Sequence, residues 1–178
     1  MKIIYSRDDG GVNIISPAEG ARLATQLQLK DGTILSSNMP QAVDQFLGRW
    51  PVVGSTVTWA ETPTTFAERI AFKDVPSGKP YQIVDVADIP TDRAFRNAWC
   101  VEGNGIGHNH EKCCDITKER LRAERAPLLA AQDVAYMRAQ EAGASTTAIV
   151  AEKQRLRDVT KLVTADLSLD ALKMLKAA

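Results

Sequence analysis

Hydrophobic and polar positions at the start of the chain alternate over short stretches, as they do in β-strands. Residues 1–6 and 12–16 are runs rich in isoleucine, and residues 8–11 between them are two aspartates followed by two glycines. Aspartate and glycine favour the backbone conformations that a tight connection between antiparallel strands requires. The pattern therefore predicts a β-hairpin over the first sixteen residues.

A second strongly patterned region, residues 81–99, is expected to organise the core. Residues 81–86 are rich in β-forming side chains and predict a strand. Pro90 ends the extended region, and Phe95 and Trp99 follow at the i, i+4 spacing of one helical face. We therefore expect a turn of helix there, with both aromatic side chains in the centre of the fold.

Between these two regions the pattern changes from one short element to the next. Prolines and glycines mark the boundaries, and spacing distinguishes helical from extended stretches. The predicted elements are a helix containing Leu23 and Leu27, a strand over residues 33–35, a helix over residues 41–50, an extended segment over residues 52–59 and a helix over residues 63–73 with Phe66, Ala67 and Ile70 facing inward.

The composition changes after Trp99, and helical spacing then continues to the end of the chain. Residues 103–110 are rich in glycine and asparagine, which indicates a loop between two domains. The sequence thus predicts an α+β fold: a small mixed domain with a β-hairpin and short helices over residues 1–102, a linker over residues 103–114, and a helical hairpin with a short extra helix over residues 115–178.

The long helix predicted over residues 115–142 is apolar on two sides. One side carries leucines, and the other carries mainly small residues, namely Ala123, Ala126, Ala130, Val134 and Met137. A helix that is apolar on two sides needs two neighbours. The next helix supplies one of them, and either the N-terminal domain or another protein chain supplies the other. These five residues are therefore the predicted partner-binding set, and core packing within the chain is the alternative.

Charge and composition exclude several classes of partner. The chain has 22 basic and 22 acidic side chains, so no excess of positive charge attracts nucleic acid or an anionic membrane. The 44% hydrophobic content is ordinary for a globular protein. No apolar run approaches the ~20 residues of a membrane span, and no signal peptide is recognised. We expect synthesis in the cytosol and no nucleic-acid or membrane partner.

Cysteine and histidine cluster around the predicted linker. Cys100, His108, His110, Cys113 and Cys114 lie within fifteen residues, and thiolate with imidazole is a ligand set for zinc. The usual C-x2-C pair is missing, and adjacent cysteines cannot easily both face one tetrahedral ion, so no metal or other cofactor is predicted.

The three cysteines are candidates for other chemistry. An odd number of cysteines argues against a complete internal disulfide framework. It leaves Cys100, Cys113 and Cys114 as candidates for a reversible or intermolecular disulfide. A thiol nucleophile at Cys113 or Cys114 is a further alternative, but no orienting partner is evident, and no catalytic residue is predicted.

Two segments of the chain resemble small tail-region proteins of tailed bacteriophages. Residues 74–99 read DVPSGKPYQIVDVADIPTDRAFRNAW, and residues 122–139 read RAERAPLLAAQDVAYMRA. The resemblance extends over about residues 63–157. Residues 20–60 and the Cys113-Cys114 pair differ from the pattern of that family.

The resemblance implies a structural virion protein of the tail, neck or fibre-attachment region, which is made in the host cytoplasm and binds other virion proteins. Its implied partners are other tail, neck or fibre proteins, with a second copy of the chain as a further candidate. It carries no catalytic motif, so a non-enzyme is expected. The alternatives are a tail-fibre assembly chaperone absent from the mature virion and a metal- or thiol-dependent enzyme.

Overall fold

The computed structural model describes residues 1–47 and 55–177, and the chain divides into two compact units. Unit 1 comprises Met1–Thr91 and Cys100–Gly107, and unit 2 comprises Asp92–Trp99 and His108–Ala178. Strands are concentrated in the N-terminal part and long helices in the C-terminal part, which confirms the α+β class. The units are interleaved along the chain, unlike the predicted division at residue 102.

The described strands of unit 1 up to residue 84 form two antiparallel sheets. The elements up to residue 84 are β1 (Lys2–Ser6), β2 (Val12–Ile15), β3 (Leu23–Gln28), β4 (Ile34–Ala42), α1 (Val43–Leu47), β5 (Thr56–Trp59), α2 (Pro63–Asp74) and β6 (Tyr81–Val84). One sheet has the order β2-β1-β6 and the other β4-β3-β5. In the first sheet Ile3 lies opposite both Ile15 and Ile83.

The predicted N-terminal hairpin is confirmed. Its turn is closed by the amide of Arg7, which donates to the carbonyl oxygen of Gly11 at 2.8 Å. Gly10 has a φ of 74°, a left-handed conformation that glycine adopts without steric cost.

Helix α2 covers one face of the first sheet. Thr62 caps it, since its hydroxyl accepts from the amide of Thr65 at 3.1 Å. Four side chains on one side of α2 are buried against Ile3, namely Phe66, Ala67, Ile70 and Ala71. The inward residues predicted for this helix, Phe66, Ala67 and Ile70, are confirmed.

The helix predicted around Leu23 and Leu27 is wrong. Both residues belong to β3, the central strand of the second sheet. A separation of four places two side chains on one face of a strand as well as of a helix, so these leucines satisfied both periods. The residues form a strand because their backbone groups pair with β4 on one side and β5 on the other.

Other predicted elements differ in extent. The strand predicted over residues 33–35 is longer, because β4 continues to Ala42, and the helix predicted over residues 41–50 begins as α1. The end of that helix and residues 52–54 of the predicted extended segment lie outside the described residues. The strand predicted over residues 81–86 is shorter in the structure and ends at Val84. A 3-10 turn begins two residues later, at Val86.

Phe95 and Trp99 are core residues, as expected, but not on one helix. Arg96–Ala98 is a single 3-10 turn, and Trp99 already begins the next strand. The side chains are only 4% and 3% exposed. The spacing therefore identified buried positions but the wrong local structure.

The loop predicted over residues 103–114 is also wrong. The chain forms β7 (Trp99–Glu102), β8 (Gly105–His108) and then α3 (His110–Glu141), which is followed by α4 (Thr147–Asp158) and α5 (Leu169–Met174). Gly103, with a φ of 54°, lies in the turn between the two strands. Helix α3 begins at His110 rather than residue 115 because the Asn109 side chain accepts from the amide of Lys112 at 3.0 Å.

The core of unit 2 lies against the first half of α3. The buried side chains of this core are Phe95, Ala98, Cys113, Cys114, Leu121, Val159, Val163, Leu172 and Ala177. The buried residues of α3 itself end at Leu121, although the helix continues for another twenty residues. The second half of α3 therefore extends past the core and packs with α4.

Candidate protein interface

One side of the second half of α3 is defined by its contacts with α4. Arg125 donates from Nη1 to the carbonyl oxygen of Arg157 at 2.7 Å, and Lys153 Nζ lies 2.6 Å from Asp133 Oδ1. The same Lys153 ammonium lies 5.1 Å from the centre of the Tyr136 ring, within cation–π range. These contacts fix the direction in which α3 faces its neighbour in the chain.

A second side of α3 is exposed. It carries the five residues predicted to bind a partner, Ala123, Ala126, Ala130, Val134 and Met137, and all five are exposed. We call this set the outer face of α3. Val134 is 43% and Met137 55% exposed, and neither contacts the core cluster of unit 2. The stripe is therefore not part of the core of unit 2.

A proline adds a polar feature next to the outer face. Pro127 lies inside α3 and is exposed. Proline has no amide hydrogen, so the carbonyl oxygen of Ala123 lacks the donor that a regular helix would give it. A donor from solvent or from a partner can reach this oxygen because the residue is exposed.

The base of α3 is held by the C-terminal segment of the chain. His110 Nε2 lies 2.8 Å from the carbonyl oxygen of Leu167, and Arg120 Nη2 donates to that of Leu172 at 2.9 Å. One turn further along, the Glu124 carboxylate accepts from the amide of Ala177 at 3.1 Å. These bonds fix the base from which the outer face extends, and a face that is ordered in advance loses less entropy on binding.

These anchoring contacts were not foreseen from the sequence. Their acceptors and donors on the C-terminal segment are main-chain groups, which every residue possesses. From the sequence, His110 was considered only as a candidate zinc ligand, and the alternation of charge around Arg120 and Glu124 is typical of a solvated helix surface. Only the spacing of three to four residues along one side could have indicated a common neighbour.

The cysteines lie in the protein rather than on a loop. Cys113 and Cys114, near the start of α3, are 0% and 7% exposed, whereas Cys100 is half-buried, and none of the three forms a disulfide bond within the described residues. Cys114 Sγ lies 3.6 Å from His110 Nδ1, so a thiol and an imidazole do meet. The burial of Cys114 leaves little access for a substrate, and an intermolecular disulfide through Cys113 or Cys114 would require local opening.

Within residues 1–47 and 55–177, no cluster of three or more histidine, cysteine, aspartate or glutamate side chains is arranged to hold a metal ion. Over the same residues, no helix has the length and apolar character needed to cross a membrane.

A partly buried charge cluster in unit 1 was also missed by sequence reasoning, but its contacts are structural. Arg22 stacks on the ring of Trp59 at 4.1 Å and donates from Nε to the carbonyl oxygen of Glu61 at 3.0 Å. The Glu61 carboxylate binds Arg69 Nε at 2.6 Å and accepts from the amide of Leu23 at 2.9 Å. The hydrogen bond from Arg69 is the main cause that lowers the pKa of Glu61. The cluster ties the start of β3 to the chain between β5 and α2.

Comparison with protein-family models, with curated proteins and with solved structures finds no match to this chain. The likeness to phage tail-region proteins therefore stays a prediction from the sequence, and the assignment of function rests on the residues themselves.

Proposed function

We propose that this chain is a structural protein of the tail, neck or fibre-attachment region of a tailed bacteriophage. It acts by binding other proteins of the virion, and the outer face of α3 is its contact surface. The resemblance of residues 74–99 and 122–139 to phage tail-region proteins supports the class of particle. The second of these segments is the part of α3 that carries the outer face.

The observation that carries the proposal is the exposure of Ala123, Ala126, Ala130, Val134 and Met137 on a helix that is firmly held at its base. Alanine side chains allow another backbone to approach closely. Fully burying a valine or methionine side chain contributes about 1.5–3 kcal/mol, so covering the exposed half of Val134 and of Met137 gives about 1 kcal/mol each.

Mass spectrometry of purified virions tests the class of protein. A structural component is expected in the particle at a fixed ratio to other tail proteins. The second candidate function, a tail-fibre assembly chaperone, uses the same face but leaves before the particle is complete. Its signature is a protein abundant in the infected cell and missing from purified virions.

A charge on the outer face tests the surface. Ala130→Glu places a carboxylate in the middle of the face, and we expect it to prevent incorporation into particles. Because Ala130 is exposed, this substitution should change the protein's free energy of unfolding by no more than about 0.5 kcal/mol. Ala151→Glu is the matched control, since Ala151 is an exposed alanine of α4. Normal incorporation of Ala130→Glu would overturn the proposal.

A further inference from the structure

We infer that the outer face of α3 pairs with the same face of a second copy of this chain, with the two helices antiparallel and the two-fold axis near Ala131. The inference deepens the proposed function and rests on it in one respect, since both require the outer face to be a contact surface. Three properties of the described residues lead to the second copy.

The first property is a gradient of side-chain size along the face. Small residues, Ala123, Ala126 and Ala130, occupy its first half, and the larger Val134 and Met137 occupy the second half. An antiparallel copy places Met137 opposite Ala126 and Val134 opposite Ala130. Large side chains then fill the space that small ones leave at both ends, whereas a parallel copy would set Met137 against Met137 and leave a gap between alanines.

The second property is the distribution of charge at the two ends of the face. Arg122 and Glu141 flank the ends, are both exposed, and have no ion-pair partner within the described residues. In the antiparallel arrangement each Arg122 meets Glu141 of the other copy. A parallel arrangement would instead bring like charges together, which is unfavourable.

The third property is that these pairings share one register. The midpoints of the Arg122–Glu141 and Ala126–Met137 pairs both fall between residues 131 and 132, and that of the Ala130–Val134 pair falls at residue 132. One two-fold axis therefore satisfies the size gradient and the charge pair. Such an interface is self-complementary and closed, the commonest arrangement in protein oligomers.

The size of the face sets the expected strength. From Arg122 to Glu141 the helix extends about 28 Å, at ~1.5 Å per residue. A single pair of helices over this length is a small interface, typical of weak or transient association. We therefore expect a dimer that dissociates on dilution, with a dissociation constant on the order of micromolar.

The test is analytical ultracentrifugation of the full chain over a range of about 0.1–100 µM, which brackets that constant. The parent chain should shift from monomer to dimer across the range, and Ala130→Glu should remain monomeric. The Ala151→Glu control should dimerise like the parent. Far-ultraviolet circular dichroism establishes that each variant is folded.

Charge reversal tests the antiparallel register. Arg122→Glu and Glu141→Arg should each weaken dimerisation about five- to tenfold, because each creates two like-charge contacts per dimer. The double variant should return to within about threefold of the parent, since both pairs are restored with opposite polarity.

Three results would overturn the inference: a parent chain that is monomeric at every concentration, a dimer that Ala130→Glu leaves intact, and single charge reversals that the double variant does not rescue. Failure here is distinguishable from failure of the proposed function. A monomer that enters virions through the outer face would overturn only the self-pairing, and a dimer missing from virions would overturn only the assignment to the particle.

Discussion

The packing of unit 1 makes a sharp prediction about two phenylalanines on one helix. Phe66 and Phe72 both belong to α2, but Phe66 is 4% exposed and Phe72 is 91% exposed. The substitutions Phe66→Ala and Phe72→Ala therefore remove the same atoms from the same helix in opposite environments. Each serves as the control for the other.

The expected cost of Phe66→Ala follows from what surrounds the ring. Its neighbours in the core of unit 1 are apolar, among them Ile3 and Ile70, and Arg69 lies 5.4 Å from the ring centre. Truncation loses the transfer free energy of the buried ring and leaves a cavity, which together cost about 3–5 kcal/mol. Phe72→Ala removes an exposed ring and should change the free energy of unfolding by less than about 0.5 kcal/mol, in the stabilising direction, because alanine favours the helix.

Urea unfolding measures the difference. A chain of two compact units can unfold in two transitions, so far-ultraviolet circular dichroism and tryptophan fluorescence should both be recorded to resolve them. With a slope of about 2 kcal/mol per molar urea, Phe66→Ala should lower the midpoint for unit 1 by about 1.5–2.5 M. Equal midpoint shifts for the two variants, or a parental midpoint for Phe66→Ala, would refute this account of the core.

Three further predictions concern local contacts. Asn109→Ala should lower the free energy of unfolding by about 1 kcal/mol, because it removes the cap of α3, and Asn109→Asp should retain most of it; equal losses in both variants would contradict the capping role. Glu61→Gln should cost about 1 kcal/mol at pH 7, since its arginine partner is partly exposed. The pKa of Glu61 is lowered in the fold from its ordinary 4.5, so this contribution is complete above pH 4.5 and is lost as pH falls through the folded pKa; a difference between parent and variant that stays constant down to acid pH would contradict it. In thiol titration of the native protein, Cys100 should react first, and Cys113 and Cys114 only on unfolding; three equally fast thiols would contradict their burial.

The sequence predicted an element correctly where the residues at its turn or cap and the spacing of its hydrophobic residues indicated the same structure. The N-terminal hairpin follows from two glycines next to two aspartates between isoleucine-rich runs. Helix α2 follows from Pro63 and from the spacing of Phe66 and Ile70. The outer face of α3 was also identifiable, because a second apolar stripe on a helix is visible in the sequence before its environment is known.

The errors arise where tertiary contacts choose between equally good local patterns. Leu23 and Leu27 fit a helix or a strand, and only pairing with two neighbouring strands decides. Phe95 and Trp99 were correctly predicted to be buried. Their spacing of four residues was interpreted as one face of a helix, although Trp99 is the first residue of a strand. The hydrogen bonds of His110, Arg120 and Glu124 to the C-terminal segment end on main-chain atoms, so no residue type marks their partners.

The central claim is that the outer face of α3 is a protein-contact surface in the virion. Photo-crosslinking measures this directly, with a photoreactive amino acid placed at position 130 in one phage and at position 151 in another. Irradiated particles should yield adducts to this chain or to another tail protein from position 130 and none from position 151. Adducts only from position 151, or none from position 130 in particles that contain the protein, would contradict the claim.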